Sequence, residues 1–218
     1  MSNSAQTIAA LEIEPLSPKK EAILLAAARL FSQKGYAAIS MRVLAKEIGI
    51  TPAALYHHYS DKEALYYAVL QYVFSDKAVA IEDLLKGGDA PENRLELLIV
   101  WFTELFSKDA VFTRLLHREL LDGDEGRIRL LTQEVLEAPF QEIEKLMVEL
   151  APEENARQAA ISIIALILGY FELMPILQNL TGCKTGNDDI LSFASDVKKL
   201  VLFGLSGKTG NTDNKGKN

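Results

Sequence analysis

Apolar residues recur at helical spacing along most of the chain. Ile23, Ala26, Ala27, Leu30 and Phe31 share one face of a predicted first helix. Ser17 stands ready as its N-cap, Pro18 occupies the first helical position and Gly35 ends it. Ser40 caps a short second helix, Met41 to about Ile48, which Gly49 closes. Thr51 caps a third, with Pro52 again in first position, and Ser60-Asp61 supply the next cap, so the third helix is also short. Longer helices follow over about 61–86, before Gly87-Gly88; 91–107; 109–121, before Asp122-Gly123; 125–150, with Pro139 predicting a break or kink; 153–180, ending near Gly182; and 188–205, before Gly207. Asp61, Asp109 and Asp188 are the expected caps. No strand alternation, hairpin signal or repeat interrupts the pattern. It predicts an all-α chain of about nine helices. The expected organisation is a mobile arm over 1–16, a three-helix unit over 17–62, a larger helical body over 63–206 and a polar tail over 207–218.

Composition fits a packed globule: of 218 residues, 49% are hydrophobic and 24% charged. Residues 159–177 have Glu172 as their sole charge and contain Pro175, which raises the question of a membrane span. A helix apolar all round is buried either in lipid or in protein. This stretch is barely long enough to span, so burial in the core or at a subunit interface is expected, with no membrane. Residues 1–16 lack the pattern of a secretory signal. The lone Cys183 forms no disulfide framework or multi-thiolate site within one chain, in keeping with a reducing cytoplasm.

Net charge is −7, which by itself argues against a nucleic-acid partner. Its distribution reverses that argument. Residues 17–62 carry seven Lys/Arg against three acids, a net +4, whereas residues 63–218 carry a net −9. A basic block on an acidic body presents one face to phosphates and holds the rest away.

The informative segment is Ser40 to Lys62, SMRVLAKEIGITPAALYHHYSDK. Val43, Leu44 and Ala45 are expected to pack inward, Gly49 to take the left-handed backbone of a tight helix–helix corner, and Ile50 and Leu55 to fill its inside. Thr51, Pro52, Ala53, Ala54, Tyr56, His57 and His58 are left outward. Small residues at the start of such a helix enter a major groove without collision, and thymine methyls give them apolar partners. His57 and His58, adjacent on a helix, point in different directions and make a poor metal pair. Tyr59 reads as core.

With its preceding stretch AILLAAARLFSQKGYAAIS, this segment resembles the DNA-binding signature of TetR-family regulators. The likeness covers about 20–70 and rests on Phe31, Gly35, Ala45, Gly49, Leu55, Tyr56, Tyr59 and Lys62-Glu63 together. The resemblance implies that Ser40 and Arg42 contact phosphates or bases. It implies that Thr51, Pro52, Ala53, Ala54, Tyr56, His57 and His58 form the recognition surface on double-stranded DNA, and that Lys62 holds a phosphate at a helix N-terminus. Lys46 is an equivocal candidate. Few long polar side chains stand at 52–54, so readout there leans on methyl contacts, His57, Arg42 and DNA shape.

For the body, the resemblance implies a helical effector-binding and dimerisation domain and a repressor released by a small molecule. Trp101, Phe102, Phe106, Phe112, Tyr170, Phe171 and Met174 are candidate pocket residues, with Arg114, His117 and Glu172 as polar groups. Ile161, Ala165, Leu168, Leu191, Ala194 and Val197 are candidates for a homodimer interface of four helices. No P-loop, dinucleotide fingerprint, metalloprotease helix or nucleophile elbow is present, and neither enzyme activity, a cofactor nor a metal is expected. The competing reading is an acidic helical protein-interaction scaffold without specific DNA binding.

Overall fold

The computed structural model describes residues 17–152, 154–180 and 187–206, and among them all regular structure is helical. The expected arm and tail, Gly182, Cys183 and Gly207 lie outside the described residues, as do the side chains of Asp188 and Leu191. The chain forms two compact units, divided between Val69 and Leu70.

The first unit holds α1 (Pro18–Lys34), α2 (Met41–Ile48), α3 (Pro52–His58) and the start of α4 (Lys62–Leu85). Each begins on a side-chain oxygen that accepts an otherwise unpaired backbone N–H. Ser17 Oγ accepts from Lys20 (3.4 Å), Ser40 Oγ from Val43 (3.3 Å), Thr51 Oγ1 from Ala54 (3.1 Å) and Asp61 Oδ1 from Ala64 (2.8 Å). The Ala64 N–H, followed by the Ser60 hydroxyl, holds the Asp61 carboxyl below the usual carboxylate range. The cap is therefore complete above the ordinary carboxylate pKa and is lost as pH falls through the lowered value.

Ile23, Leu24, Ala27, Ala28 and Phe31 of α1 are buried, whereas Ala26 and Leu30 are half-buried. The inward face is thus turned slightly from the expected one. Leu44 and Ala45 of α2 are fully buried, but Val43 is 38% exposed and does not pack inward. Met41, Leu44 and Ala45 already make the inner face at helical spacing, and Val43 sits about 100° round the helix from Leu44.

The second unit continues α4 and adds α5 (Pro91–Lys108), α6 (Ala110–Asp122), α7 (Glu125–Leu131), a π turn (Thr132–Leu136), α8 (Glu137–Leu150), α9 (Ala156–Leu177) and α10 (Asn187–Ser206). Counting 125–150 as one interrupted run gives nine helices among the described residues. The interruption is not at Pro139 itself. The Glu137 N–H bonds Thr132 O, five residues back, and this wider turn makes room for the proline ring near the carbonyl of Val135.

Packing centres on α5, which lies against α6, α8, α9 and α10. Buried Arg94 of α5 donates to Leu85 O (3.0 Å) and Asp89 O (3.1 Å) and pairs with Glu149 of α8, closing the end of α4 and fastening α8 beside it. A second buried pair, Arg127 with Glu119 (2.9 Å), joins α7 to α6. Such pairs hold register, because removing one partner strands a buried charge. The apolar stretch flagged for a membrane check is α9, and among the described residues it is the helix long and apolar enough to cross one. It packs against α5, α8 and α10, yet only 17% of its most apolar window is buried, so burial in the chain's own core is not what the structure shows.

Gly49 has φ 79°, ψ 28°, with open space around a would-be Cβ. Replacing Gly49 with Ala is expected to cost about 1–2 kcal/mol from the left-handed backbone alone. Thermal unfolding followed by circular dichroism checks this, with Gly49→Asn as the milder variant.

Candidate nucleic-acid interface

α2 and α3 meet at the left-handed Gly49, whose N–H bonds Lys46 O (3.2 Å) while the next N–H, of Ile50, reaches back to Ala45 O (2.9 Å). Inside the corner, Leu44, Ala45 and Leu55 are fully buried and Ile50 is half-buried. Fixing those residues inward fixes the others outward. Ser40, Arg42, Thr51, Pro52, Ala53, Ala54, Tyr56 and His57 are exposed, Tyr56 by 51%, and His58 is half-buried. Lys46 is exposed as well. The His57 and His58 rings stand edge to face at 5.7 Å, and no His/Cys/Asp/Glu cluster among the described residues suits a metal. Tyr59 is half-buried rather than core, and its burial pushes the phenol pKa up.

Lys62, expected to hold a phosphate at the start of α4, also makes contacts within the head. Its Nζ donates to Tyr36 O (3.0 Å) and sits 4.0 Å over the Tyr36 ring. Tyr36 in turn packs on Tyr66 (4.9 Å) and Phe31 (6.2 Å), and Tyr66 meets Phe31 edge-on at 4.7 Å. Lys62 therefore ties the loop after α1 to the first turn of α4. Tyr36 was visible in the sequence only as the residue after the helix-ending glycine; nothing there marks it as the lysine's acceptor. Lys62 still borders a shallow depression with Ser40, Met41 and Val43 at the start of α2.

A short two-helix corner with caps at each start and an outward small-residue helix mouth is the arrangement of a helix-turn-helix. Residues 23–69 match the family model of bacterial regulatory proteins, tetR family. The head of the chain is thus similar to the DNA-binding region of the tetR family. It is 31% identical over 102 residues to the uncharacterized HTH-type transcriptional regulator YuxN of Bacillus subtilis, covering 46% of this chain and 35% of that protein. It is 23% identical over 140 residues to the nucleoid occlusion factor SlmA of a Marinomonas species, covering 64% and 69%. The matched stretch thus spans about a third of YuxN. Solved structures extend the likeness to the whole fold. The fatty acid degradation regulator FadR from Bacillus halodurans superposes with a TM-score of 0.72 at 18% identity, over 89% of this chain and 100% of that one. FadR from Bacillus subtilis, in complex with stearoyl-CoA, gives 0.70 at 17% identity, over 84% and 98%.

The second unit contains a partly open cavity of about 410 Å³ bordered by α4, α5, α6, the π turn, α8 and α9. Of the candidate pocket residues, Trp101, Phe102, Phe106 and Phe112 line it. The others do not. Arg114 is exposed, and His117 Nε2 lies 2.9 Å from a Glu172 carboxylate oxygen, linking α6 to α9. Tyr170 stacks on Phe193 (3.8 Å), Phe171 backs the wall by stacking on Phe106 (5.6 Å), and Met174 is half-buried beyond it. Sequence reasoning missed Phe74, Ala78 and Ile81, which follow one another at i, i+4 and i+7 on α4, a stripe readable as cavity wall only once its opposing helices are known.

The dimer candidates divide as well. Ile161 and Ala165 are exposed on α9. Leu168 lines the cavity, and Ala194 and Val197 are buried within the chain, on the helix that packs against α5, so they are not available to a second copy. Further exposed apolar residues of this region are Leu173, Ile176 and Leu180 with Leu200 and Phe203.

Lys62→Ala is expected to lower the stability of the head by about 1–2 kcal/mol, the loss of a charge-assisted hydrogen bond and a ring contact. Arg42→Ala, at an exposed site, is expected to leave the unfolding midpoint within a degree or so. Thermal melts of both variants measure the difference.

Proposed function

We propose that this chain is a homodimeric, cytoplasmic transcriptional repressor that binds a palindromic DNA operator and leaves it when a small, partly apolar ligand fills the body. The observation that carries this reading is the surface of α3. Thr51, Pro52, Ala53, Ala54, Tyr56 and His57 face solvent together, flanked by Ser40 and Arg42 at the start of α2. Apolar contact with thymine methyls suits Pro52–Ala54, hydrogen bonds suit Tyr56 and His57, and Arg42 reaches phosphate or a guanine edge. Ser40 and Thr51 keep a hydroxyl proton to give a phosphate after capping their helices. The acidic body supports the same orientation by repelling DNA everywhere else.

Dimerisation supplies affinity that one seven-residue helix cannot. Its support is the open apolar face of α9 and α10, where Ile176 is 61% and Phe203 79% exposed. A second copy of the chain covers that face most simply, giving the four-helix interface expected from sequence with outward residues in place of Ala194 and Val197. The cavity supports a ligand: α4 lends it Phe74, Lys77, Ala78 and Ile81, and the same helix opens at Lys62 in the head. A ligand that prefers one arrangement of α4 shifts the DNA-binding equilibrium by its differential affinity for the two. That stearoyl-CoA is bound by FadR supports a ligand with a long apolar part. The scaffold reading has no comparable support, since it leaves the outward surface of α3 without a task.

In a competition gel shift at physiological salt, the protein is expected to hold DNA from its own upstream region against excess random duplex. Tyr56→Ala is expected to weaken that complex by about 1–3 kcal/mol, roughly five- to a hundredfold. Equal displacement by random DNA contradicts the reading. The paired change Ile176→Asp and Phe203→Asp is expected to give monomer in sedimentation and to abolish the specific shift; a variant that remains dimeric contradicts the interface.

A further inference from the structure

The charge pattern at the cavity narrows what it accepts. Six aromatic side chains face it: Phe74, Trp101, Phe102, Phe106, Phe112 and Phe140. Four polar residues join them, Lys77, Thr132, Glu137 and Arg157. Both cations are already matched. Lys77 Nζ lies 3.3 Å from Asp109, and Arg157 lies 3.4 Å from Glu144 while resting 5.3 Å from the centre of the Phe140 ring. Glu137 has no cation within ion-pair distance among the described residues and accepts only from the Gln141 amide, at 3.1 Å. Counting the matched pairs as neutral, the wall carries one negative charge.

The π turn brings this about. It places Thr132, Leu136 and Glu137 on the cavity wall, and π turns of this kind are found often at functional sites. The aromatic faces carry negative quadrupole density, and Arg157 over Phe140 shows one such ring already holding a cation.

We propose that the effector is a lipophilic cation: an apolar body buried among the aromatic rings, with a protonated or quaternary amine beside Glu137. This deepens the regulator reading above and rests on it. An anionic headgroup, by contrast, would meet Glu137 without an unmatched cation to offset it. Because the carboxylate sits at the rim, in contact with solvent, its contribution is a preference rather than an absolute requirement.

Three probes of one body and different charge separate the possibilities: dodecyltrimethylammonium, dodecanol and dodecanoate, each below its micelle concentration. Trp101 is the single tryptophan of the 218 residues and lines the cavity, so its emission reports occupancy directly. Dodecyltrimethylammonium is expected to bind about three- to tenfold more tightly than dodecanoate. Glu137→Gln is expected to erase most of that ratio by weakening the cation and strengthening the carboxylate. Dodecanoate binding as well as or better than the cation overturns the proposal, as does a ratio that survives Glu137→Gln or a Trp101 emission that none of the three shifts. Specific DNA binding by the unliganded protein, measured on the same preparation, tests the regulator reading separately.

Discussion

The corner between α2 and α3 rests on a backbone conformation that residues with side chains rarely adopt. Gly49 at φ 79° reverses the chain between two short helices, and the full burial of Leu44, Ala45 and Leu55 locks the reversal in place. Neither helix is long enough to be stable alone in water. They hold because side-chain caps begin them, a left-handed residue ends the first, and α1 packs against α2 while α2 packs against α3. Once those inner faces are fixed, the outward direction of Arg42, Thr51–Ala54, Tyr56 and His57 follows from helical geometry. The surface proposed to read DNA is thus the complement of a packing constraint.

The head was legible because every boundary in it is marked by a residue whose chemistry admits few alternatives: Ser17, Ser40, Thr51 and Asp61 as caps, Pro18 and Pro52 in first position, Gly35 and Gly49 as stops. Faces were read less well than boundaries. Val43 was misplaced because eight residues of α2 offer several apolar positions and only the packing selects Met41, Leu44 and Ala45. The role of Lys62 was hidden for a different reason. Its partner, Tyr36 O, is a backbone atom twenty-six positions away, and no side-chain pattern announces a backbone acceptor.

In the body, the order of helices was legible but their neighbours were not. Aromatic residues identify themselves as candidates for a cavity wall, yet Phe171 and Tyr170 turn to other rings while Phe74 and Phe140 complete the wall. Ala194 and Val197 share the apolar character of an interface, but α5 already occupies their face. The π turn at Thr132–Leu136 was visible only through Pro139, which marks a disturbance without fixing its position. Charge divides along the chain as well: residues 17–62 carry a net +4, whereas residues 63–218, which hold the cavity and the exposed apolar residues of α9 and α10, carry a net −9.

The most direct test of the account is a hydroxyl-radical footprint of the full chain on DNA from its own upstream region. Two recognition helices related by two-fold symmetry are expected to protect two patches on one face of the duplex, centred about one helical turn or a multiple of it apart. A single protected patch, or a ladder protected evenly along its length, would contradict a dimer reading a palindrome through α3.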